Sequence, residues 1–162
     1  MRTGALLLIG AALIFGAVNW QIVAKEHLRS TGQPVFLSLA PRDPRSILQG
    51  DYMALNFAVA RSITNAIDIG TVPGTAQVAI LKLDPKRVAD FVRLDNGEPL
   101  GLDEVRFRFR IRKGAVWLGT NAFFFHEGQE TRYAPARFGE FRVNEAGDAM
   151  LVDMRDQNLG KM

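Results

Sequence analysis

Cysteine is absent from this 162-residue chain, and histidine, tyrosine and tryptophan occur only twice each. The first absence excludes a disulfide framework and any thiol chemistry. The scarcity of histidine works against a metal centre: His27 stands beside an apolar run and His126 beside Glu127, with no second nitrogen or sulfur ligand at a useful spacing. No metal and no cofactor are therefore expected. A phosphate-binding loop is missing too, because Gly70-Thr71-Val72-Pro73-Gly74 lacks the lysine and the following helix that such a loop requires, and reads as a linker between strands. The net charge of +3 is too small for the electrostatic footprint of a nucleic-acid binder.

One long hydrophobic run is present. Gly4 to Val18 is uncharged and mostly aliphatic, and it continues through Asn19-Trp20-Gln21-Ile22-Val23-Ala24 before Lys25. A helix needs about 20 such residues to cross about 30 Å of hydrocarbon, and this run reaches that length with Trp20 near one interface. The competing reading is a cleaved signal peptide beginning at Arg2. Small residues at both minus one and minus three are missing from the cut points, since Phe15 precedes Ala17 and Ile22 precedes Ala24. Retention as a single span is expected, with residues 5–24 in the bilayer. Arg2 at one end and Lys25 with Arg29 at the other leave the positive-inside balance nearly even.

Residues 1–25 are thus an anchor, 26–33 a linker, and 34–162 one domain of ordinary size. Its pattern is a series of short strands divided by turn residues, which predicts a mainly β fold: an antiparallel sandwich or partly open barrel with short helical turns, preceded by one transmembrane helix. The first strand runs over Pro34 to Ala40. A hairpin follows from Ala76 to Leu83 and Arg87 to Leu94 around Asp84-Pro85-Lys86, closed by Asp95-Asn96-Gly97. Lys113-Gly114 turns the chain into a strand over Ala115 to Gly119. Phe123 to Phe125 is expected as a more buried strand, Glu130 to Arg137 as a helical turn, and a terminal hairpin turns at residues 144–148.

The segment from Pro41 to Phe57 carries the densest local information. Asp43 is an N-cap residue, Pro44 suits a first helical position, and Gly50 suits a left-handed stop, so Pro44 to Gln49 reads as about one helical turn. Beyond it Met53, Leu55, Phe57 and Val59 alternate with Tyr52, Ala54, Asn56 and Ala58, as a strand requires. Asp51 closes an Asx-type turn or pairs with Arg42 or Arg45, and either would set the angle at which the strand leaves. An exposed polar cluster of Arg42, Arg45 and Asp51 on a rigid corner is the alternative, functional reading.

The octapeptide Gly50-Asp51-Tyr52-Met53-Ala54-Leu55-Asn56-Phe57 resembles the signature of the GDYXXLXY family of bacterial membrane-anchored proteins, with Phe57 where a second tyrosine is usual. The resemblance continues through Phe124, Phe125, Glu127 and Gly128, then residues 136–143, and Gly147 to Leu151. Asp43, Pro44, Arg45, Gly50, Asp51, Tyr52, Leu55 and Phe57 are the signature and structural residues it marks. It implies a single-pass protein of the bacterial inner membrane, a short cytoplasmic tail and a periplasmic domain. Members are often encoded beside polytopic membrane proteins, so it also implies an integral membrane partner.

Three readings remain to be weighed. In Val105 to Arg112, Val105, Phe107, Phe109 and Ile111 alternate with Arg106, Arg108, Arg110 and Arg112. Guanidinium groups two apart on one strand face lie about 7 Å from one another, inside the Debye length, and need neutralising. Asp or Glu on adjacent strands would make this a solvated face; an anionic lipid surface or an acidic partner would make it an interaction face. A serine and lysine hydrolase of the signal-peptidase type would use Ser46 and a desolvated Lys82, but the Met-x-Pro sequence that normally follows such a nucleophile is missing. A peptide- or glycan-binding module would gather Tyr52, Tyr133 and Trp117 along a groove. The expectation is a non-enzymatic domain that acts by contact.

Overall fold

The computed structural model describes residues 2–40, 48–49, 52–67 and 76–162, with the side chains of residues 2–9, 48, 49 and 76 outside that description. Asp43, Pro44, Arg45, Gly50 and Asp51 lie outside the described residues, as do Arg42, Ser46 and the linker at residues 70–74.

The N-terminal helix α1 (Arg2–Thr31) is longer than the apolar run that begins it. Residues 26–31, expected within a linker, continue the helix, and Leu28 on its last turns is buried. Gly32 then turns the chain directly into β1 (Gln33–Ser38). No side chain fits at Gly32, where a Cβ would stand 2.5 Å from the Leu28 carbonyl oxygen. Among the described residues no helix is long and apolar enough to cross a membrane. The side chains of residues 4–9, which open the apolar run, are outside that description.

Beyond α1 the described residues are mainly β and antiparallel, in three sheets. The largest has the order β5-β4-β6-β7, formed by β4 (Ala76–Leu83), β5 (Ala89–Leu94), β6 (Glu104–Arg112) and β7 (Ala115–Trp117). The second places β9 (Phe138–Val143) between β1 and β10 (Ala149–Arg155). They meet at two seams. A parallel bridge pairs Phe36 of β1 with Val88 ahead of β5, and the Arg108 N–H of β6 donates to the Gly147 carbonyl at 2.8 Å. Gly147 has φ of +85° and its Cβ position lies 3.1 Å from that of Arg106, so the β9–β10 turn comes this close to β6 only with glycine. Of the two expected architectures, these seams make the partly open barrel.

The third sheet, β2 (Leu48–Gln49), β3 (Tyr52–Ala54) and β8 (Ala122–Phe124), holds residues 52–54 of the signature. Leu48 and Gln49 are extended and pair with Met53 and Tyr52, which corrects the helical turn expected to run to Gln49. The strand expected to reach Val59 also stops early. Phe57 caps α2 (Ala58–Ala66), which buries Val59 and Ile63 and packs against β1, β5 and β7. Val59 and Ile63, four apart, are one helical face, and Val59 also continues the period-two row from Met53; tertiary packing chose the helix.

Elsewhere the turn chemistry sets the boundaries. Arg87, expected in a strand, occupies the turn before β5 with φ of +64°, its N–H donating to the Asp84 carbonyl while the Asp84 carboxylate accepts from the Val88 N–H at 2.7 Å. The helical turn α3 (Glu130–Tyr133) and the β9–β10 hairpin lie where they are expected. Phe123 to Phe125 is not a buried strand: Phe124 is 74% exposed and only half-buried rings flank it.

Strand β9 organises the packing through both faces. Inward, Phe141 is fully buried and meets Phe57 and Phe107 edge-on, with ring centroids 5.3 and 5.4 Å apart. Phe57 reaches this position over Gly139, where a Cβ would stand 2.9 Å from its ring. Outward, Glu140 is 3% exposed and held by two arginines: Arg155 donates from Nε at 2.7 Å and also from Nη2, and Arg142 Nη2 lies 3.1 Å from the other carboxylate oxygen. Arg142 also donates to the Gly32 carbonyl at 3.3 Å, so the end of α1 is tied to the same cluster.

Two substitutions test this account. Glu140→Ala leaves two arginines facing each other without their carboxylate and is expected to cost about 3 kcal/mol, with Glu140→Gln costing less. Gly139→Ala forces a methyl group against the Phe57 ring and is expected to cost about 1–3 kcal/mol, part of which Phe57→Leu in the same molecule recovers. Thermal unfolding of the full-length protein in detergent measures both; additive losses at residues 57 and 139 would contradict the close contact.

Candidate functional site

The sequence marked two places, the signature corner and the arginine face of β6. At the corner, Met53, Leu55 and Phe57 are buried in the core, so the inward half of the signature packs. The corner is anchored on both sides: the Ala40 N–H donates to the Asn56 carbonyl and the Leu55 N–H to the Asn121 carbonyl, both at 2.7 Å. Phe57 sits 3% exposed against Gly139 and Phe141, a site that asks for an aromatic ring and not for a hydroxyl. Tyr52 points the other way, half-buried, with its ring 5.8 Å from that of Phe124.

On β6 the alternation is regular, with Val105, Phe107, Phe109 and Ile111 buried and all four arginines on the opposite face. Their partners divide them. Arg106 Nε donates to Asp95 at 3.2 Å, and its stem, together with that of Arg93, covers Ile80, which is fully buried on this outer face. Arg108 donates to Asp148 at 2.6 Å and to the Ala146 carbonyl at 3.3 Å. Arg110 and Arg112 have no ion pair among the described residues. Arg112 instead lies 4.8 Å from the centre of the Trp117 ring, in cation–π contact, and the Trp117 N–H donates to the Gly119 carbonyl. One end of the row is therefore a neutralised solvated face, and the other end is not.

The neutralised end includes a residue not singled out in the sequence. Arg93 on β5 donates from Nη1 to both oxygens of Glu104, at 3.0 and 2.9 Å. The Glu104 carboxyl is held below its ordinary range, first by the Gly101 N–H and then by Arg93; the Arg93 guanidinium is pushed up by the same carboxylate. Asp95 is likewise lowered, first by the Gly97 N–H and then by Arg106. Asp95-Asn96-Gly97 signalled the turn in the sequence; its second role as an arginine partner needed the fold.

The residues of the other two chemistries are dispersed. Lys82 is exposed on the outer face of β4, opposite Asp90 and Glu104, without the burial that a hydrolytic lysine requires. Tyr133 is buried between Phe123 and Phe125, with centroids 5.1 and 5.2 Å away, whereas Tyr52 lies on Phe124 and Trp117 on Arg112. The three rings thus have separate neighbours. Among the described residues no group of three His, Asp or Glu side chains has the arrangement of a metal site.

Because Asp95 and Glu104 have lowered proton affinities in the folded state, the stability they contribute is fully present above the ordinary carboxylate range near pH 4 and is lost as pH falls through their folded values. Melting temperature followed from pH 6 to pH 3 is expected to drop on acidification, and to drop less steeply in Glu104→Gln. An identical slope in that variant would remove Glu104 from the explanation.

No curated protein and no solved structure matches the chain. A family model does, the GDYXXLXY protein model, over residues 14–154. That span takes in the second half of α1, the signature corner, the arginine strand and the β9–β10 hairpin. The chain belongs to the GDYXXLXY protein family.

Proposed function

We propose that this protein is a single-pass membrane protein whose β domain stands on the periplasmic side of the bacterial inner membrane and works by contact with an integral membrane partner. The observation that carries this reading is the surface of α1. Leu13, Ile14, Phe15, Val18, Trp20, Ile22 and Val23 are all exposed and fall on every side of the helix. A helix that is apolar all round is stable in water only when buried, and none of the described residues covers it. The bilayer supplies the missing contact over residues 5–24, with Trp20 as an interfacial anchor.

The helix does not end in a flexible tether. Leu28 is buried against the domain and Gly32 is held by Arg142, so the domain is expected to keep a set height and orientation over the membrane. Phe124, the exposed aromatic of β8, lies on the domain next to a cleft that Lys25 also lines. A rigid mount and an apolar side chain near the bilayer suit lateral contact with another membrane protein. The hydrolytic alternative finds little support, because Lys82 is exposed.

Co-purification of the full-length protein from cells in mild detergent, followed by mass spectrometry, tests the contact reading. A multi-span membrane protein at near-equal stoichiometry is the expected result, with the amount reduced by Phe124→Ser. Recovery of the chain alone, or loss of its cellular role in Ser46→Ala and Lys82→Met, would overturn it. Alkaline phosphatase fused after Met162 should be active in cells, and the intact mass should retain the N-terminus.

A further inference from the structure

Three clefts of the described residues border the last turns of α1, and one of them carries an excess of positive charge. It has a volume of about 200 Å³ and is lined by Lys25, Arg108, Arg110, Arg112, Trp117 and Asp148 among others. Arg108 and Asp148 neutralise one another at 2.6 Å. Lys25, Arg110 and Arg112 remain, and none of them is in an ion pair among the described residues. Three cations facing one small space repel each other until an anion enters, and among the described residues the cleft has no carboxylate left to serve as that anion.

The position of Lys25 indicates which anion. It is the first charged residue after the apolar run that ends at Ala24, so in a membrane-inserted helix its ammonium group stands at the headgroup level. Arg110 and Arg112 come from β6, far along the chain, and are brought to the same level by the docking of α1 on β9 and β10. Guanidinium groups bind phosphate oxygens in a two-pronged geometry, and Trp117, whose ring already lies under Arg112, suits the boundary between acyl chains and water. We infer that this cleft binds the phosphate of an anionic phospholipid headgroup in the leaflet that α1 enters from the domain side.

This inference rests on the membrane-anchor reading of α1, and it confines the arginine row's interaction role to its unpaired end. Arg106 and Arg108 serve the fold through Asp95 and Asp148; Arg110 and Arg112 serve the lipid. The headgroup would complete the electrostatics of the joint between helix and domain and hold the domain down on the surface.

The test uses full-length protein in mixed micelles containing equal amounts of phosphatidylglycerol and phosphatidylcholine with the same acyl chains, with retained lipids counted by native mass spectrometry. Phosphatidylglycerol is expected to be retained about tenfold over phosphatidylcholine. The preference should fall to near one in Arg110→Gln with Arg112→Gln, which keeps the wild-type melting transition, and persist in Arg106→Gln, which melts cooperatively at a lower temperature because the Asp95 contact is lost. Equal retention of the two lipids, or a preference that survives the double substitution, would overturn the inference. Stripping of phosphatidylglycerol by excess inorganic phosphate would assign the cleft to a free anion, and displacement by an acidic peptide of matched charge would assign it to a protein; either result removes the lipid. Sedimentation of the same protein with vesicles of pure phosphatidylcholine reads the anchor separately, because insertion of α1 needs no anionic headgroup.

Discussion

A buried carboxylate holds this molecule together. Glu140 lies almost out of contact with water on the outer face of β9, and it is tolerable there only because Arg155 and Arg142 surround it. Those arginines come from the neighbouring strand and from its own strand, and Arg142 passes the constraint on to the Gly32 carbonyl at the end of α1. One ionic cluster therefore fixes the pairing of β9 with β10 and the angle at which the N-terminal helix meets the domain. The opposite face of the same strand carries Phe141, the ring on which Phe57 and Phe107 converge.

The family signature gains a physical meaning from this arrangement. Its inward residues Met53, Leu55 and Phe57 enter the core, and Phe57 is seated on Gly139, the residue before Glu140. The two most distinctive stretches of the chain, the signature and the segment around Phe138-Gly139-Glu140-Phe141, are thus two halves of one contact. A methyl group at residue 139 or a smaller side chain at residue 57 would separate them. Phenylalanine meets that need by packing, with its ring edge-on to Phe141 and over Gly139.

The joint between helix and domain decides what the surface residues do. A long loop between α1 and β1 would have left Lys25 and the arginine strand without a fixed relation. Because the helix runs to Thr31 and turns at a single glycine, Lys25 is held beside Arg110 and Arg112. The exposed Phe124 and the cationic cleft then face the same end of the molecule, near the place where the apolar helix emerges. Positioning of this kind requires stiffness, which the Glu140 cluster and the buried Leu28 supply.

What the sequence determined by itself was local. The strict alternation of Val105 to Arg112, the turn residues at Asp84, Asp95 and Gly147, and the apolar run before Lys25 each act over a few residues, where backbone geometry and side-chain period are enough. The family was legible from the signature for the same reason, whereas the helical turn read ahead of it was not, since Leu48 and Gln49 pair as a strand. Only the tertiary structure decided the rest. Val59 fits a strand continuing from Met53 or a helix leading to Ile63, and contacts with β1, β5 and β7 selected the helix. Which arginines are neutralised depended on Asp95 and Asp148, which lie 11 and 40 residues from their partners. The role of Glu140 was invisible for the same physical reason: a carboxylate's burial is set by neighbours brought together from distant parts of the chain, and no period in the sequence records them.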